Sequence, residues 1–141
     1  MSGFLLDTNV ISELVRPRPD PHVTEWIDDT DEGLLYLSVL TLGEIRKGIM
    51  RLPDPRRRAE LERWLDSSVA LRFSRRILHI DLAVGDRWGR LSAEAAVRRA
   101  PLPVIDALLA ATALQHDMTL VTRNTKDLAR TNVPLFNPWT E

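Results

Sequence analysis

The sequence has no cysteine, six glycines and only two lysines, Lys47 and Lys126, among its 19 basic residues. Without cysteine there is no disulfide framework, no thiolate metal site and no cysteine nucleophile. Any metal must then be held by oxygen or imidazole ligands. The glycines form neither G-x-G-x-x-G nor a P-loop, which excludes a dinucleotide enzyme built on those motifs. No apolar stretch approaches the roughly 18 residues of a membrane span. The N-terminus, Met1-Ser2-Gly3-Phe4-Leu5-Leu6-Asp7, carries no basic residue and its apolar run ends at Asp7. Neither a signal peptide nor a membrane anchor is expected, and a soluble cytoplasmic protein is. No segment repeats, and no low-complexity linker divides the chain.

What is present suits one domain over residues 1–141, 44% hydrophobic and 28% charged, with enough apolar material for a real core. The formal charge of −1 is a cancellation of 19 basic residues against 20 acidic ones. It does not mean electrostatic indifference. Seventeen of the basic residues are arginine, whose planar fork suits phosphate.

Hydrophobic periodicity predicts alternating strands and helices. Phe4-Leu5-Leu6 reads as a short buried strand. Thr8 or Asn9 then caps a helix through Val10, Ile11, Leu14 and Val15 that Pro17 stops. Val23, Trp26 and Ile27 mark a second helix, and Leu34 to Leu37 a second strand. Thr41 opens a helix carrying Leu42, Ile45 and Ile49, and residues 56–71 form another with Leu61, Trp64 and Leu65. Ile77 to Ile80 give a third strand, followed by a helix through Val84, Trp88, Leu91 and Ala95. A helix from Pro103 to about Asp117 precedes a fourth strand, Met118 to Thr122, and a weak fifth, Val133 to Phe136. This alternation predicts a three-layer α/β/α sandwich around a mainly parallel sheet of four to five strands. In such sheets the functional crevice lies beyond the carboxyl ends of the strands.

Several polar residues sit where that rule points. Asp7 ends the first strand. Glu44 lies one turn into the helix after the second, between core-facing Leu42 and Ile45. Asp106 is the single charge in the run Leu102 to Ala111, where an unpaired buried carboxylate would cost several kcal/mol. Asn124 and Asp127 follow the fourth strand. Acids gathered at one sheet edge need a compensating cation, and Mg²⁺ or Mn²⁺ prefers hard oxygen ligands. An oxygen site with open positions suits phosphodiester hydrolysis.

The segments Phe4-Leu5-Leu6-Asp7-Thr8-Asn9-Val10-Ile11-Ser12-Glu13 and Gly43-Glu44-Ile45-Arg46-Lys47-Gly48, with Asp106 in its Ala/Leu helix and Val121-Thr122-Arg123-Asn124, resemble the PIN-domain proteins. Within them the likeness is to VapC/FitB-type toxins of bacterial toxin–antitoxin pairs, and it runs from Leu5 to Trp139. The resemblance implies a Mg²⁺- or Mn²⁺-dependent endoribonuclease, neutralised by a cognate antitoxin. It implies a homodimer that forms a heterotetramer or larger assembly with that antitoxin. Asp7, Glu44 and Asp106 match the three main acids of the pattern, as catalytic and metal-binding residues. Asn124 stands where many members carry a fourth acid and brings no charge; Asp127 is the candidate to compensate. Thr8 and Thr122 match hydroxyl positions lining the site.

Arg46, Lys47, Arg51, Arg56, Arg57, Arg58 and Arg63 concentrate along the third and fourth helices, the expected path for RNA. An ordinary solvated helix face explains the same charges, and a catalytically inactive PIN-like module that binds RNA or a partner is the alternative to a nuclease. A phosphoacceptor receiver domain fits poorly, since Asp7 has no adjacent acid and Thr122-Arg123 stands where a lysine belongs. His22, His79 and His116 lack metal-like spacing. Trp26, Trp64 and Trp88 have core spacing, Trp139 is read as pinning the tail or joining a dimer surface, and Asp28 to Glu32 read as a solvated acidic loop.

Overall fold

The computed structural model describes residues 3–97 and 99–140; Met1, Ser2, Arg98, Glu141 and the side chain of Val97 lie outside the described residues. In chain order the elements are β1 (Phe4–Leu6), α1 (Thr8–Glu13), α2 (Pro21–Asp29), β2 (Leu35–Ser38), α3 (Val39–Met50), α4 (Pro55–Arg63), α5 (Ala70–Arg72), β3 (Ile77–Leu78), α6 (Leu82–Val97), α7 (Val104–Gln115), β4 (Thr119–Val121), α8 (Thr125–Leu128) and β5 (Leu135–Phe136). All paired strands run parallel, and the five-stranded sheet has the order β3-β2-β1-β4-β5.

Strand alternation divides the interior into two cores. Leu6, Leu35, Leu37 and Val121 face a cluster with Val10, Ile11, Val23, Ile45, Ile49, Leu65 and Phe73. Leu5 and Leu120 face the other side, against Leu91, Leu109, Ala110 and Ala113. Helices therefore cover both faces, as the sandwich reading expected. Fully burying one such leucine contributes about 1.5–3 kcal/mol, so the central strands need no length to hold their place. Gly3 fixes the entry to β1: its φ is +108°, and a Cβ there would lie 2.8 Å from the Leu34 carbonyl oxygen.

Helix starts are set by short polar side chains. Asp20 and Asp54 accept from the backbone two residues on, each followed by a proline in the first helical turn. Asp81 accepts from Val84 N at 2.9 Å and so caps α6. Helix α3 begins at Val39 rather than Thr41, because Ser38 Oγ accepts from Leu40 N at 3.0 Å. The helix expected over 56–71 runs from Pro55 to Arg72 through a wider, π-helical turn at Trp64–Val69. Strand β3 is shorter than expected, since His79 and Ile80 leave the sheet before Asp81.

The acidic loop departs from its solvated reading at Glu32. Arg72 bonds both Glu32 carboxylate oxygens, at 3.0 and 2.8 Å, and Arg76 bonds Oε2 at 2.8 Å. The hydrogen bond from Arg72 leads in holding the Glu32 carboxyl below its usual range. Arg76 also donates to the carbonyls of Leu35 and Arg72, both at 2.6 Å, and lies over the Phe73 ring. It thus ties the end of α5 to the start of β2. Arg76→Ala leaves those carbonyls without their partner and is expected to cost about 1–3 kcal/mol. A lower urea midpoint at unchanged slope is the reading to look for.

Candidate active site

The chain runs outward from β1 to β2 and β3, then crosses back to lay β4 and β5 on the other side. Beyond the carboxyl ends of β1 and β4 the strand order therefore reverses, which is where such sheets open a crevice. Asp7 and the 122–124 loop stand at that point. Asp7 N donates to Val121 O at 2.9 Å, carrying the β1–β4 pairing one residue past the strand.

Asp7 is only 6% exposed, and both of its carboxylate oxygens are engaged. Oδ1 accepts from Thr8 N and Oδ2 from Thr122 Oγ1, each at 2.7 Å. Asp7 itself is thus the N-cap of α1, not Thr8 or Asn9. Those two residues are occupied elsewhere. Thr8 Oγ1 donates to Glu44 Oε1 at 2.6 Å, and Asn9 Oδ1 accepts from Arg123 N at 3.5 Å.

Glu44 is half-buried one turn into α3, and buried Thr41 ties that helix to the Leu6 carbonyl at 3.5 Å. Its partner is the Thr8 hydroxyl rather than the neighbouring Arg46, which pairs with Asp66. Asp106 lies in the first turn of α7, whose buried face is Ala107, Leu109, Ala110 and Ala111. Its carboxylate is half-buried rather than enclosed, and it accepts from Asn124 Nδ2 at 3.1 Å. Asn124 N donates in turn to Thr122 Oγ1 at 3.0 Å. The result is one connected row: Glu44, Thr8, Asp7, Thr122, Asn124, Asp106. Asp127 is exposed and stands outside these hydrogen bonds.

Electrostatics couple the acids. Burial raises the Asp7 pKa most, hydrogen bonds from Thr122 and Thr8 oppose the rise, and the Glu44 charge adds to it. Burial likewise leads in raising Asp106, followed by the charges of Asp7, Glu44 and Asp127, with Asn124 opposing. Asp127 acts on the site through its charge. Asn124 orients Asp106 without adding to the repulsion.

These donors suit a hard cation. Among the described residues no three His, Asp or Glu side chains come together closely enough to cage an ion by themselves. An ion held here would draw much of its coordination shell from water, as Mg²⁺, which usually takes one or two carboxylates, commonly does. A divalent ion would offset the burial that leads in raising Asp7 and Asp106 and the neighbouring acid charges that add to it.

The basic side chains divide. Lys47 on α3 and Arg51 at its C-cap are exposed, follow Glu44 by three and seven residues, and so continue its helical stripe. Arg46 is committed to Asp66, and Arg57 and Arg58 to Glu60 and the Leu52 carbonyl. The histidines stay out of the row: His22 pairs with Asp20, and His79 is exposed. Trp26 packs between Phe4 and Phe136, with ring centroids 5.1 Å from each. Trp64 packs against the same core, and Trp88 is half-buried on α6. Sequence reasoning did not pair Asn9 with the backbone of Arg123; their positions two residues after Asp7 and between Thr122 and Asn124 were the available signal.

Residues 4–133 match the PIN domain, and the chain belongs to that family. It is similar to toxin FitB of Neisseria gonorrhoeae, 36% identical over 96% of this chain and 98% of the relative. It is also 35% identical to VapC ribonuclease Y4jK of Sinorhizobium fredii, over 96% of this chain and 97% of that protein. The crystal structure of FitAcB from Neisseria gonorrhoeae superposes with a TM-score of 0.93, covering 98% of this chain and 99% of that one. No helix among the described residues is long and apolar enough to cross a membrane.

Proposed function

We propose that this chain is a divalent-metal-dependent endoribonuclease, the toxin of a toxin–antitoxin pair. The observation that carries the proposal is the connected row from Glu44 to Asp106 at the switch point of the sheet. Its likeness to a protein named a toxin and to one named a ribonuclease supports the same reading.

Asp7 and Asp106 would hold a Mg²⁺ or Mn²⁺ ion, with Glu44 and Asn124 completing its surroundings through their hydrogen-bonded neighbours. When bound, the ion supplies Lewis acidity and a water of lowered pKa. The protein's own residues set the stage. Asp7 must be unprotonated to serve, and the bonds from Thr8 N and Thr122 Oγ1 favour that form. Thr8 holds Glu44 to one position, Asn124 does the same for Asp106, and Lys47 and Arg51 continue the Glu44 stripe toward phosphate. Burial of Asp7 keeps bulk water from relaxing the arrangement.

The partners follow from the same reading: RNA as substrate, a cognate antitoxin, a homodimer, and a heterotetramer or larger with the antitoxin. The likeness to a protein named toxin FitB supports the toxin half of the toxin–antitoxin pair. The decisive test incubates purified protein with RNA in Mg²⁺, in Mn²⁺ and in EDTA. Cleavage confined to the metal-containing samples is expected. Binding without cleavage in any of them would instead favour an inactive RNA-binding module.

A further inference from the structure

The row of acids is flanked on two sides. On the β2 side stand Lys47 of α3 and Arg51 at its C-terminal end. On the β4–β5 side the surface opens into a cleft of about 380 Å³ that the acid row does not reach. Arg16, Arg18 and Arg123 line it, with Trp139, Glu13 and Asp20. That volume falls within the range of small-ligand sites, about 300–1,000 Å³.

Its chemistry is specific. The Arg123 guanidinium carbon lies over the Trp139 ring, 4.9 Å from its centroid. The Trp139 backbone N–H donates to Asn137 Oδ1 at 2.9 Å, and its ring packs on the core. The two acids are already engaged. Glu13 accepts from Arg16 at 3.3 Å and from Asp20 N at 2.8 Å, and Asp20 caps α2. Arg18 is exposed, without an ion-pair partner among the described residues. The cleft therefore offers phosphate-binding forks beside an arginine–tryptophan cation–π pair. Arginine on an aromatic platform is a surface on which unpaired bases stack.

Position connects the cleft to the chemistry. Arg123 directly follows Thr122, which bonds Asp7, and its own N–H is held by Asn9. Sheet order puts α3, Asp7, the 122–124 loop and the chain after β5 in sequence along one edge. We propose that this cleft is a nucleotide subsite for single-stranded RNA flanking the bond to be cut. Arg16 and Arg18 hold a phosphate there, and Arg123 on Trp139 stacks a base. The proposal rests on the ribonuclease reading for its occupant, but binding can be measured without cleavage.

The test compares wild type with an Arg16→Gln/Arg18→Gln/Arg123→Gln variant on a fluorescein-labelled single-stranded RNA 12-mer. Binding is followed by anisotropy in EDTA over a series of KCl concentrations. The variant is expected to bind at least about tenfold more weakly, and its log–log salt slope to flatten by about 0.7 for each phosphate no longer neutralised. In Mg²⁺, KM is expected to rise about tenfold while kcat changes little. Arg123→Lys, which keeps the charge and removes the planar guanidinium, should fall between the two. Unchanged Kd, slope and KM in the triple variant overturn the subsite and leave the ribonuclease reading standing. Arginine-dependent RNA binding by a protein that cuts no RNA keeps the subsite and removes the ribonuclease. Wild type that fails to bind the 12-mer overturns the subsite. So does a variant that loses only the affinity for an acidic peptide.

Discussion

Asp7→Asn protein is expected to lose roughly 10²–10³-fold or more of its RNA-cleaving rate, the scale on which single electrostatic stabilisers act. It should keep its fold. Asparagine has nearly the same shape and caps helices as well as aspartate, so the bond from Thr8 N at the head of α1 survives. The amide's other end meets the Thr122 hydroxyl, which can accept as well as donate. Only the negative charge at the switch point disappears. Circular dichroism and a melting curve establish that the variant is folded, and a discontinuous assay on labelled RNA gives the rate. Undiminished cleavage by folded Asp7→Asn, or cleavage by wild type that persists in EDTA, would remove Asp7 and the metal from the reading.

The second large effect is on stability. At neutral pH, metal-free Asp106→Asn is expected to melt no lower than wild type and at best higher, while losing activity. The sign follows from the raised pKa of Asp106, caused first by burial and then by the charges of Asp7, Glu44 and Asp127. A carboxyl whose folded pKa lies above its unfolded value favours folding below the unfolded pKa. That contribution is lost as pH climbs through the folded value, because the unfolded chain releases its proton first. At neutral pH the ionised group therefore opposes folding, and asparagine relieves it while still accepting from Asn124. Any advantage of the variant should shrink as pH falls toward the ordinary aspartate value of 3.8. Added Mg²⁺ should stabilise wild type, by about 2.7 kcal/mol at a hundredfold excess over Kd, and the variant far less. A large fall in melting temperature of Asp106→Asn at pH 7 would make the residue a structural acid.

Much of this was readable from residues alone. Apolar runs such as Phe4-Leu5-Leu6, each followed by a polar residue, located the strands and the edge at which the candidate acids lie. Periodicity located every long helix. Its failures were local and had polar causes. Ser38 starts α3 early, at Val39, and Asp7 caps α1 because Thr8 and Asn9 serve other partners. Those partners lie far along the chain, Glu44 for Thr8 and Arg123 for Asn9, and no periodic pattern encodes such pairs. The same applies to Glu32, whose solvated look in sequence hid two arginines about forty residues away. The candidate acids were visible because a charge in an apolar run is conspicuous; which hydroxyl orients which carboxylate was not.

The Thr122 hydroxyl carries a last consequence. It has one hydrogen, given to Asp7 Oδ2, and its oxygen receives the amide hydrogen of Asn124. The chain of donors therefore has a direction, from the loop backbone through the hydroxyl to the carboxylate. Loop conformation and charge at position 7 become a single variable. Discharging the carboxylate loosens the grip on the amide at 124, and with it the side chain that orients Asp106. In Asp7→Ala protein the Asn124 amide should exchange with solvent deuterium faster than in wild type at the same pH, as followed by NMR. Equal protection in both would mean that the loop holds itself. Otherwise one acid reports its ionisation to the other through a peptide unit, across a gap that neither side chain spans.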